Sequence, residues 1–183
     1  AVLPMFHSYG FTAAVGLGLA SGFTLILVPR FDAGDLLKTI AKYRPTVFPG
    51  VPTMYIGLLN HPDINKYDLK SIQLCVTGAA AMPVDLLRRF EQVTGATIME
   101  GYGLTETSPV THANPREGKR IPGSVGLPYP GTDVRIIDLE NGQDLPPGGE
   151  GEILIRGPQV MLGYWNRPEA TAEVLKDGWL CTR

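Results

Sequence analysis

The chain shows two patterns of apolar and polar positions, one in its first part and one in its second. Up to about residue 102, short apolar runs alternate with stretches in which apolar residues recur every three or four positions. The runs predict buried strands, and the stretches predict helices that lay one apolar face on a sheet. The predicted strands cover 46–48, 72–77 and 97–100, and the predicted helices lie near 33–43, 52–59 and 83–94. This alternation predicts a mainly parallel sheet with covering helices.

The ends of these helices carry the residue types that start and stop helices. Asp32 is placed to cap the first helix, and Pro45 follows its end. Pro52 and Pro83 stand where the other two helices begin, a position that proline favours because its missing N–H is not needed there. Capping and periodicity therefore agree on the same three helices.

The first 29 residues contain no Asp, Glu, Lys or Arg, which is a length that could cross a bilayer. Glycines and Pro4 break this segment into two patterns, a helix over 9–21 and a strand over 24–28. No basic residues precede the apolar stretch, so it is a poor signal peptide. The pattern favours a buried helix followed by a central strand over a membrane span.

Beyond residue 110, glycine and proline become dense and helical periodicity is lost until about Arg167. Two segments, 134–138 and 152–156, alternate apolar with polar residues as half-buried strands do, and turn sequences separate them. The sequence thus predicts an α/β fold, with a mainly parallel sheet and covering helices followed by a smaller antiparallel β unit. We divide it into an α/β subdomain, 1–110, and a β-rich subdomain, 111–183.

Composition narrows the class of protein. Of the 183 residues, 44% are hydrophobic and 19% are charged, which is typical of a globular chain. The formal net charge of −2, with no basic face, argues against a nucleic-acid partner. Cys75 and Cys181 are far apart and have no CxxC partner, so neither a zinc site nor a disulfide framework is expected. A reducing, cytoplasmic location is the default expectation.

The densest functional signal is the segment 100–109, Glu-Gly-Tyr-Gly-Leu-Thr-Glu-Thr-Ser-Pro, directly after a predicted strand. Ligands of open α/β sheets bind outside the carboxyl ends of the strands. Here two glycines let the backbone approach a ligand, Tyr102 offers a flat face, Thr105 a hydroxyl, and Glu106 a hard oxygen for Mg²⁺. Composition alone leaves a polar loop with a glycine bend as an equal alternative.

Two weaker signals lie elsewhere. The run of small residues at 77–81 also follows a predicted strand, and it would let a flat ring lie on the backbone. Taken alone, the run is better explained by tight packing of a strand-to-helix turn. His7 stands in an apolar run, where a histidine is more often a satisfied core residue than a catalyst.

Taken in order, these segments resemble the adenylate-forming family, which contains acyl-CoA synthetases, luciferases and the adenylation domains of peptide synthetases. Residues 101–106, Gly-Tyr-Gly-Leu-Thr-Glu, match its central nucleotide motif, and 4–7, Pro-Met-Phe-His, match its aromatic/histidine motif. Residues 151–165 match a later structural motif. Residues 177–182, Asp-Gly-Trp-Leu-Cys-Thr, resemble a segment of long-chain fatty acid–CoA ligases. The resemblance covers the whole chain.

The resemblance implies a two-step reaction. A carboxylate, here a fatty acid, attacks the α-phosphate of ATP to give acyl-AMP and pyrophosphate, and the thiol of coenzyme A then displaces AMP. Mg²⁺ and positioned donors offset the repulsion between the two anions of the first step. ATP, Mg²⁺ and coenzyme A are therefore the implied ligands. The alternatives are an aryl-CoA ligase or other adenylating enzyme, and a binding module without catalysis.

The resemblance also implies roles for individual residues. For the nucleotide, Tyr102 stacks on adenine opposite Gly78, Ala79 and Ala80; Glu100, Gly101 and Gly103 contact the nucleotide; and Thr105 binds the α-phosphate. Glu106 holds Mg²⁺, and His7 lies beside the acyl carboxylate and the phosphate. The acyl path is lined by Tyr9, Phe11, Gly50 and Val51. Arg30 meets the phosphates of coenzyme A, with a solvated surface charge as an equal alternative.

Other family segments do not occur in this sequence. They are the Ser/Thr/Gly-rich phosphate loop, the ribose-binding aspartate and the catalytic lysine of a C-terminal domain; Ala81 replaces a common proline. The resemblance thus predicts an internal piece of the N-terminal domain, truncated at its C-terminal end and inactive on its own. For the full-length enzyme it allows peripheral membrane contact and an oligomer.

Overall fold

The computed structural model describes residues 1–182. A five-stranded sheet forms its centre, in the order β1 (Val47–Gly50), β2 (Leu74–Thr77), β3 (Thr97–Tyr102), β4 (His112–Ala113) and β5 (Leu127–Pro128). The first three strands are parallel, with Leu74 opposite both Val47 and Thr97, and β4 and β5 are antiparallel to their neighbours. The predicted parallel sheet is confirmed.

Two helices precede the parallel strands and two connect them. They are α1, made of consecutive parts Ser8–Gly10, Phe11–Gly16 with π-helical hydrogen bonds, and Leu17–Ser21; α2 (Ala33–Tyr43); α3 (Pro52–Leu59); and α4 (Val84–Thr94). The Asp32 carboxylate accepts a hydrogen bond from the Asp35 N–H at 2.9 Å, which is the predicted cap. Helix α4 ends at Gly95, whose φ of 75° suits glycine. The helices predicted over 9–21, 33–43, 52–59 and 83–94 are all present.

Aromatic rings and aliphatic side chains fill the core between α2, α3, α4 and the sheet. The fully buried Tyr55 ring meets Phe48 and Phe90 edge to face, at centroid distances of 5.5 and 4.9 Å. The Tyr55 hydroxyl donates to the Val76 carbonyl oxygen at 3.0 Å, so this buried polar group is satisfied. This core fixes the ends of β1, β2 and β3, where the candidate site lies.

The second sheet is antiparallel, as predicted, in the order β6 (Asp133–Ile137), β7 (Glu152–Arg156), β9 (Trp179–Cys181) and β8 (Leu175–Lys176). A short helix, α5 (Pro168–Val174), lies between β7 and β8. Ile155 and Leu180 are buried partners in neighbouring strands, and the opposite face carries charged residues such as Arg135. Leu154 lies on that second face and is buried as well, so the alternation predicts the strand but both faces of β7 contain a buried residue.

The prediction of a strand over 24–28 is wrong. This segment has no strand assignment; Ile26 accepts from the Ala1 amino group, and Val28 donates to the Ala1 carbonyl oxygen at 2.9 Å. Two bonds to one residue do not make a ladder, and β-branched composition cannot supply the missing partner strand. No helix among residues 1–182 is long and apolar enough to cross a membrane.

The first sheet continues past residue 110, because β4 and β5 extend it as far as Pro128. The second sheet begins at Asp133. The change from one sheet to the other thus lies between these two residues, and the division at residue 110 stays a prediction.

Candidate active site

Two adjoining clefts open at the carboxyl ends of β2 and β3. The helix-side cleft, about 470 Å³, is lined by residues 7–9, 12, 13 and 17 of the α1 region together with 76–79, 101–105, 109, 110 and 129. The loop-side cleft, about 410 Å³, is lined by residues 77, 79–82, 100–104 and 123–125. Both include Thr77, Ala79 and residues 101–104. Segments far apart in sequence thus meet at the edge where ligands of parallel sheets bind.

Tyr102 lines both clefts and is held from two sides. It is the last residue of β3, where it pairs with His112 of β4, and the Thr111 N–H donates to its carbonyl oxygen at 2.9 Å. The buried His112 ring lies 5.9 Å from the Tyr102 ring, at an angle of 60°. Burial lowers the pKa of His112, so the neutral imidazole supports the tyrosine ring.

The wall around Tyr102 is made of small residues. Ala79 contributes to both clefts and has a left-handed backbone with φ 65°, which is uncommon for a residue other than glycine. Gly78 lies in the helix-side cleft and Ala80 in the loop-side cleft. Gly103 packs so closely on the next loop that a Cβ would overlap the Pro109 carbonyl. A flat aromatic ligand therefore finds space beside Tyr102.

A short 3₁₀ turn, Thr105–Thr107, follows this wall. The buried Thr107 hydroxyl accepts from the Leu104 N–H at 2.9 Å and fixes the start of the turn. The turn directs Thr105 toward α1, where the hydroxyls of Thr105 and Ser8 are 3.2 Å apart. Two hydroxyls from segments 97 residues apart therefore share one edge of the helix-side cleft.

Glu106 does not line either cleft. Its carboxylate Oε1 accepts a hydrogen bond from the Tyr164 hydroxyl at 2.7 Å, and its carbonyl oxygen accepts from the Met161 N–H at 2.7 Å. The loop that follows β7 is therefore attached to the turn that carries Thr105 and Glu106.

His7 and Tyr9 bring the start of α1 to the helix-side cleft. The His7 Nδ1 atom accepts from the Tyr9 N–H at 3.1 Å and caps the helix, leaving the other ring nitrogen for a ligand. The Tyr9 hydroxyl donates to the Val76 carbonyl oxygen at 2.7 Å and lies 3.3 Å from the Gly50 carbonyl oxygen. Burial raises the pKa of Tyr9, so this hydroxyl remains a neutral donor that joins α1 to the sheet.

Glu100 lines the loop-side cleft, but its side chain is occupied by protein groups. Both carboxylate oxygens lie 3.1 Å from the Gly123 N–H, and Asn114 donates to Oε2 at 3.3 Å. Burial raises the pKa of Glu100 above its usual value. The hydrogen bonds of this carboxylate thus hold loop 121–125 in place, and the loop forms the outer wall of the cleft.

Besides Glu106, four residues that the resemblance implicates lie outside the two clefts. Phe11 is 57% exposed on α1, and Arg30 is exposed after it. Gly50 ends β1 in contact with the Tyr55 ring, and Val51 packs against the core. The remaining predicted residues except Glu106 converge on the clefts, and their roles stay predictions.

Sequence reasoning missed several residues of the site. Ser8, Thr77 and Tyr129 line the helix-side cleft, and the Thr77 hydroxyl is buried without a hydrogen-bond partner in the described chain. Thr77 stands at the head of the small-residue run, and that position was a usable signal. Tyr129 lies in the glycine- and proline-dense part of the chain, where no periodicity marks it, whereas the motif over 151–165 was a usable signal for Tyr164.

The oxygen donors around Thr105 suit a magnesium–phosphate group better than a metal held by protein alone. No group of three or more His, Cys, Asp or Glu side chains within residues 1–182 could hold a metal ion. Mg²⁺ is commonly held by one or two carboxylates together with substrate phosphates. Glu106, the residue after Thr105 in the same turn, supplies one carboxylate of the kind that this arrangement uses.

Comparison with known proteins explains this convergence. Residues 1–165 match the family model of the AMP-binding enzymes. The chain belongs to the AMP-binding enzyme family. The predicted resemblance to adenylate-forming enzymes is therefore confirmed.

Curated members of the AMP-binding family match nearly the whole chain. A long-chain-fatty-acid–CoA ligase of Bacillus subtilis (strain 168) is 54% identical over 181 residues, which are 99% of this chain and 32% of that protein. A ligase of the same name from Yersinia pestis is 42% identical, covering 98% of this chain and 32% of that protein. A feruloyl-CoA synthase from an Amycolatopsis species is also 42% identical, covering 96% and 36%. The chain spans about a third of the length of these relatives.

Solved structures of AMP-binding enzymes share the fold. An anthranilate CoA ligase, AuaEII, in complex with anthranoyl-AMP superposes with a TM-score of 0.91 at 31% identity, over 97% of this chain and 34% of that one. ATP-bound MatB from Rhodopseudomonas palustris superposes with a TM-score of 0.88 at 35% identity, over 99% and 36%. The α/β architecture with its separate antiparallel sheet is that of this family.

Proposed function

We propose that the chain is a segment of an ATP-dependent fatty acyl-CoA synthetase, which joins a carboxylate to AMP and then transfers the acyl group to coenzyme A. The observation that carries the proposal is the convergence, on one edge of the sheet, of three segments to which the resemblance assigns roles. His7, the run 78–80 and residues 101–105 are distant in sequence, yet all line two clefts that share the Tyr102 ring. Catalytic groups of an open α/β sheet are expected at this edge.

In this proposal the loop-side cleft takes adenine and the helix-side cleft takes the reacting carboxylate and phosphate. Adenine lies between Tyr102 and Ala79–Ala80, where small side chains leave room for a ring. Thr105 and Ser8 then donate hydroxyl protons to the α-phosphate, and His7 lies on the same cleft wall. Tyr9, Gly50, Val51 and Phe11 would line the acyl path, since the Tyr9 hydroxyl already joins α1 to the end of β1.

Glu106 would hold Mg²⁺ together with the phosphates of ATP, and the cation would supply charge compensation where the two anions meet. The acidic turn suits a cation because its donors are oxygens. We further propose that Arg30, exposed beyond α1, meets the phosphates of coenzyme A.

The fatty acid proposal and its aryl-CoA alternative predict different substrates for the complete protein that contains this chain. We expect palmitate, ATP and coenzyme A to give palmitoyl-CoA, AMP and pyrophosphate, with ferulate and benzoate reacting at least tenfold more slowly. Faster reaction with ferulate would favour the aryl-CoA ligase. ATP binding without release of pyrophosphate from any carboxylate would leave only a binding module.

Glu106→Gln tests the site itself, because glutamine keeps the shape and removes the charge. Formation of acyl-AMP should fall by about a hundredfold or more, a typical scale for losing one electrostatic group. The second half-reaction, from supplied acyl-AMP, should fall less because pyrophosphate and its cation have already left. A large drop in melting temperature, with both half-reactions impaired equally, would instead identify Glu106 as a structural residue.

The proposal places the complete protein in the cytoplasm. Sedimentation with phospholipid vesicles and the mass of the protein in solution test the peripheral membrane contact and the oligomer that the resemblance allows. For membrane contact we expect sedimentation to depend on the exposed apolar residues of the uncharged segment, which include Leu19 and Phe23.

A further inference from the structure

We propose that Tyr164 is a positioning residue, which sets the direction of the Glu106 carboxylate toward the magnesium–phosphate group. The inference rests on the proposed function, because it assumes that Glu106 binds the cation. Tyr164 lies 58 residues beyond Glu106, in the loop between β7 and α5. It stands in the later family motif, 151–165, to which the resemblance assigns no ligand.

The contact has the geometry of a strong hydrogen bond. The Tyr164 hydroxyl donates to Glu106 Oε1 at 2.7 Å, within the range of O–H···O bonds to a charged acceptor. A tyrosine hydroxyl carries one proton, whereas a carboxylate has about four acceptor sites on its two oxygens. The bond therefore restricts rotation of the Glu106 side chain and leaves acceptor sites for a hard cation.

Tyr164 is itself held by bonds that do not involve its hydroxyl. Its backbone N–H donates to the Thr171 hydroxyl at 2.9 Å, and its carbonyl oxygen accepts from the Arg167 N–H at 3.1 Å. The Met161 N–H separately donates to the Glu106 carbonyl oxygen. Loss of the Tyr164 hydroxyl alone thus leaves the loop attached to the turn, so its effect on the carboxylate can be measured separately from any effect on folding.

Outer groups that orient metal ligands are typically worth tenfold or more in metal affinity. Tyr164 is 36% exposed, so water competes for the carboxylate and the effect should lie at or somewhat below the lower end of that range. For Tyr164→Phe in the complete protein we expect the Mg²⁺ concentration that half-saturates ATP binding to rise about fivefold to tenfold. AMP binding in the absence of Mg²⁺ should not change, because the adenine wall is intact.

Isothermal titration of ATP at a series of Mg²⁺ concentrations, and of AMP with EDTA, measures both quantities without turnover. Tyr43→Phe is the matched control, since it removes a hydroxyl from a tyrosine that is 54% exposed at the end of α2, and it should leave both unchanged. Glu106→Gln should raise the Mg²⁺ requirement more than Tyr164→Phe does, and the double variant should be no worse than Glu106→Gln alone.

The outcomes separate the two proposals. If Glu106→Gln raises the Mg²⁺ requirement and Tyr164→Phe does not, Glu106 keeps its role and the positioning role of Tyr164 is rejected. A lower Mg²⁺ requirement in Tyr164→Phe would show that the hydroxyl competes with the cation for Glu106, and this result also rejects the positioning role. If Tyr164→Phe weakens AMP binding without Mg²⁺ as much as it raises the Mg²⁺ requirement, the substitution disrupts the whole site, and the positioning role of Tyr164 is rejected. An unchanged Mg²⁺ requirement in Glu106→Gln would overturn both proposals.

Discussion

The Tyr102 ring lies where both clefts meet, so its removal is the sharpest test of how the nucleotide is held. We consider Tyr102→Ala, which deletes the ring, and Tyr102→Phe, which deletes only the hydroxyl. If adenine stacks on this ring, the first change removes the flat surface. The second leaves it in place, with His112 still behind it at a similar distance.

The size of the effect follows from the stacking energy. A base on an aromatic side chain contributes about 1–3 kcal/mol by alanine substitution, which corresponds to about fivefold to 140-fold in affinity. Ala79 and Ala80 remain on the other side of the cleft and keep part of the contact with the base. We therefore expect the dissociation constant for ATP to rise about tenfold to thirtyfold in Tyr102→Ala and less than about threefold in Tyr102→Phe.

Equilibrium titration of ATP against the complete protein measures this, with thermal unfolding as a check on folding. The ring is half-buried, so Tyr102→Ala should also lose about 1–2 kcal/mol of stability, less than the 3–5 kcal/mol typical of a fully buried aromatic residue. Tyr43→Ala, an exposed tyrosine remote from both clefts, is the control and should bind ATP normally. Equal losses from Tyr102→Ala and Tyr102→Phe would refute the stacking role and assign the contribution to the hydroxyl.

Three further predictions concern other parts of the molecule. Because burial lowers the pKa of His112, the unfolded chain binds more protons below pH 6.5 than the folded chain does, so the free energy of unfolding should fall as pH drops from 7 to 5. Denaturant unfolding of His112→Gln should show a smaller dependence on pH, and an unchanged dependence would contradict the lowered pKa of His112. Arg30→Ala should raise the KM for coenzyme A about threefold to tenfold at low salt and leave acyl-AMP formation unchanged. An effect on both steps would contradict a role of Arg30 confined to coenzyme A. Residues 1–183 alone should form no palmitoyl-CoA, because no Lys or Arg lines either cleft in the described chain to compensate the triphosphate charge; detectable thioester would contradict this.

Local chemistry made the helices and parallel strands predictable. Asp32 caps α2 as expected, and Pro52 stands at the first position of α3, because caps and prolines act within one turn of chain. The apolar face of α4 likewise needs no knowledge of its partners to be recognised. The prediction of a strand over 24–28 failed because a strand depends on a distant partner, and here no other backbone completes its hydrogen-bond ladder.

The site was predictable only in part, for the same physical reason. The motif at 101–106 contains its ring, glycines, hydroxyl and carboxylate within six residues, so it can be recognised locally. The structure brings this motif close to the run 78–80 and to His7. The bond between Tyr164 and Glu106 joins segments that share no periodicity. The buried carboxylate of Glu100 is also invisible to sequence reasoning, since its partners lie 14 and 23 residues away on a loop without regular structure.

The left-handed backbone of Ala79 affects how freely this position can change during evolution. A residue other than glycine costs about 1–2 kcal/mol in that conformation. Glycine would remove that cost, but it would also make the unfolded chain more flexible, which opposes the gain by about 0.4–1 kcal/mol. The difference leaves a gain of about 0–1.6 kcal/mol for glycine, so Ala79→Gly should be tolerated or mildly stabilising. Any larger or β-branched residue meets at least the same backbone cost, and its side chain would take up space in the two clefts that Ala79 lines.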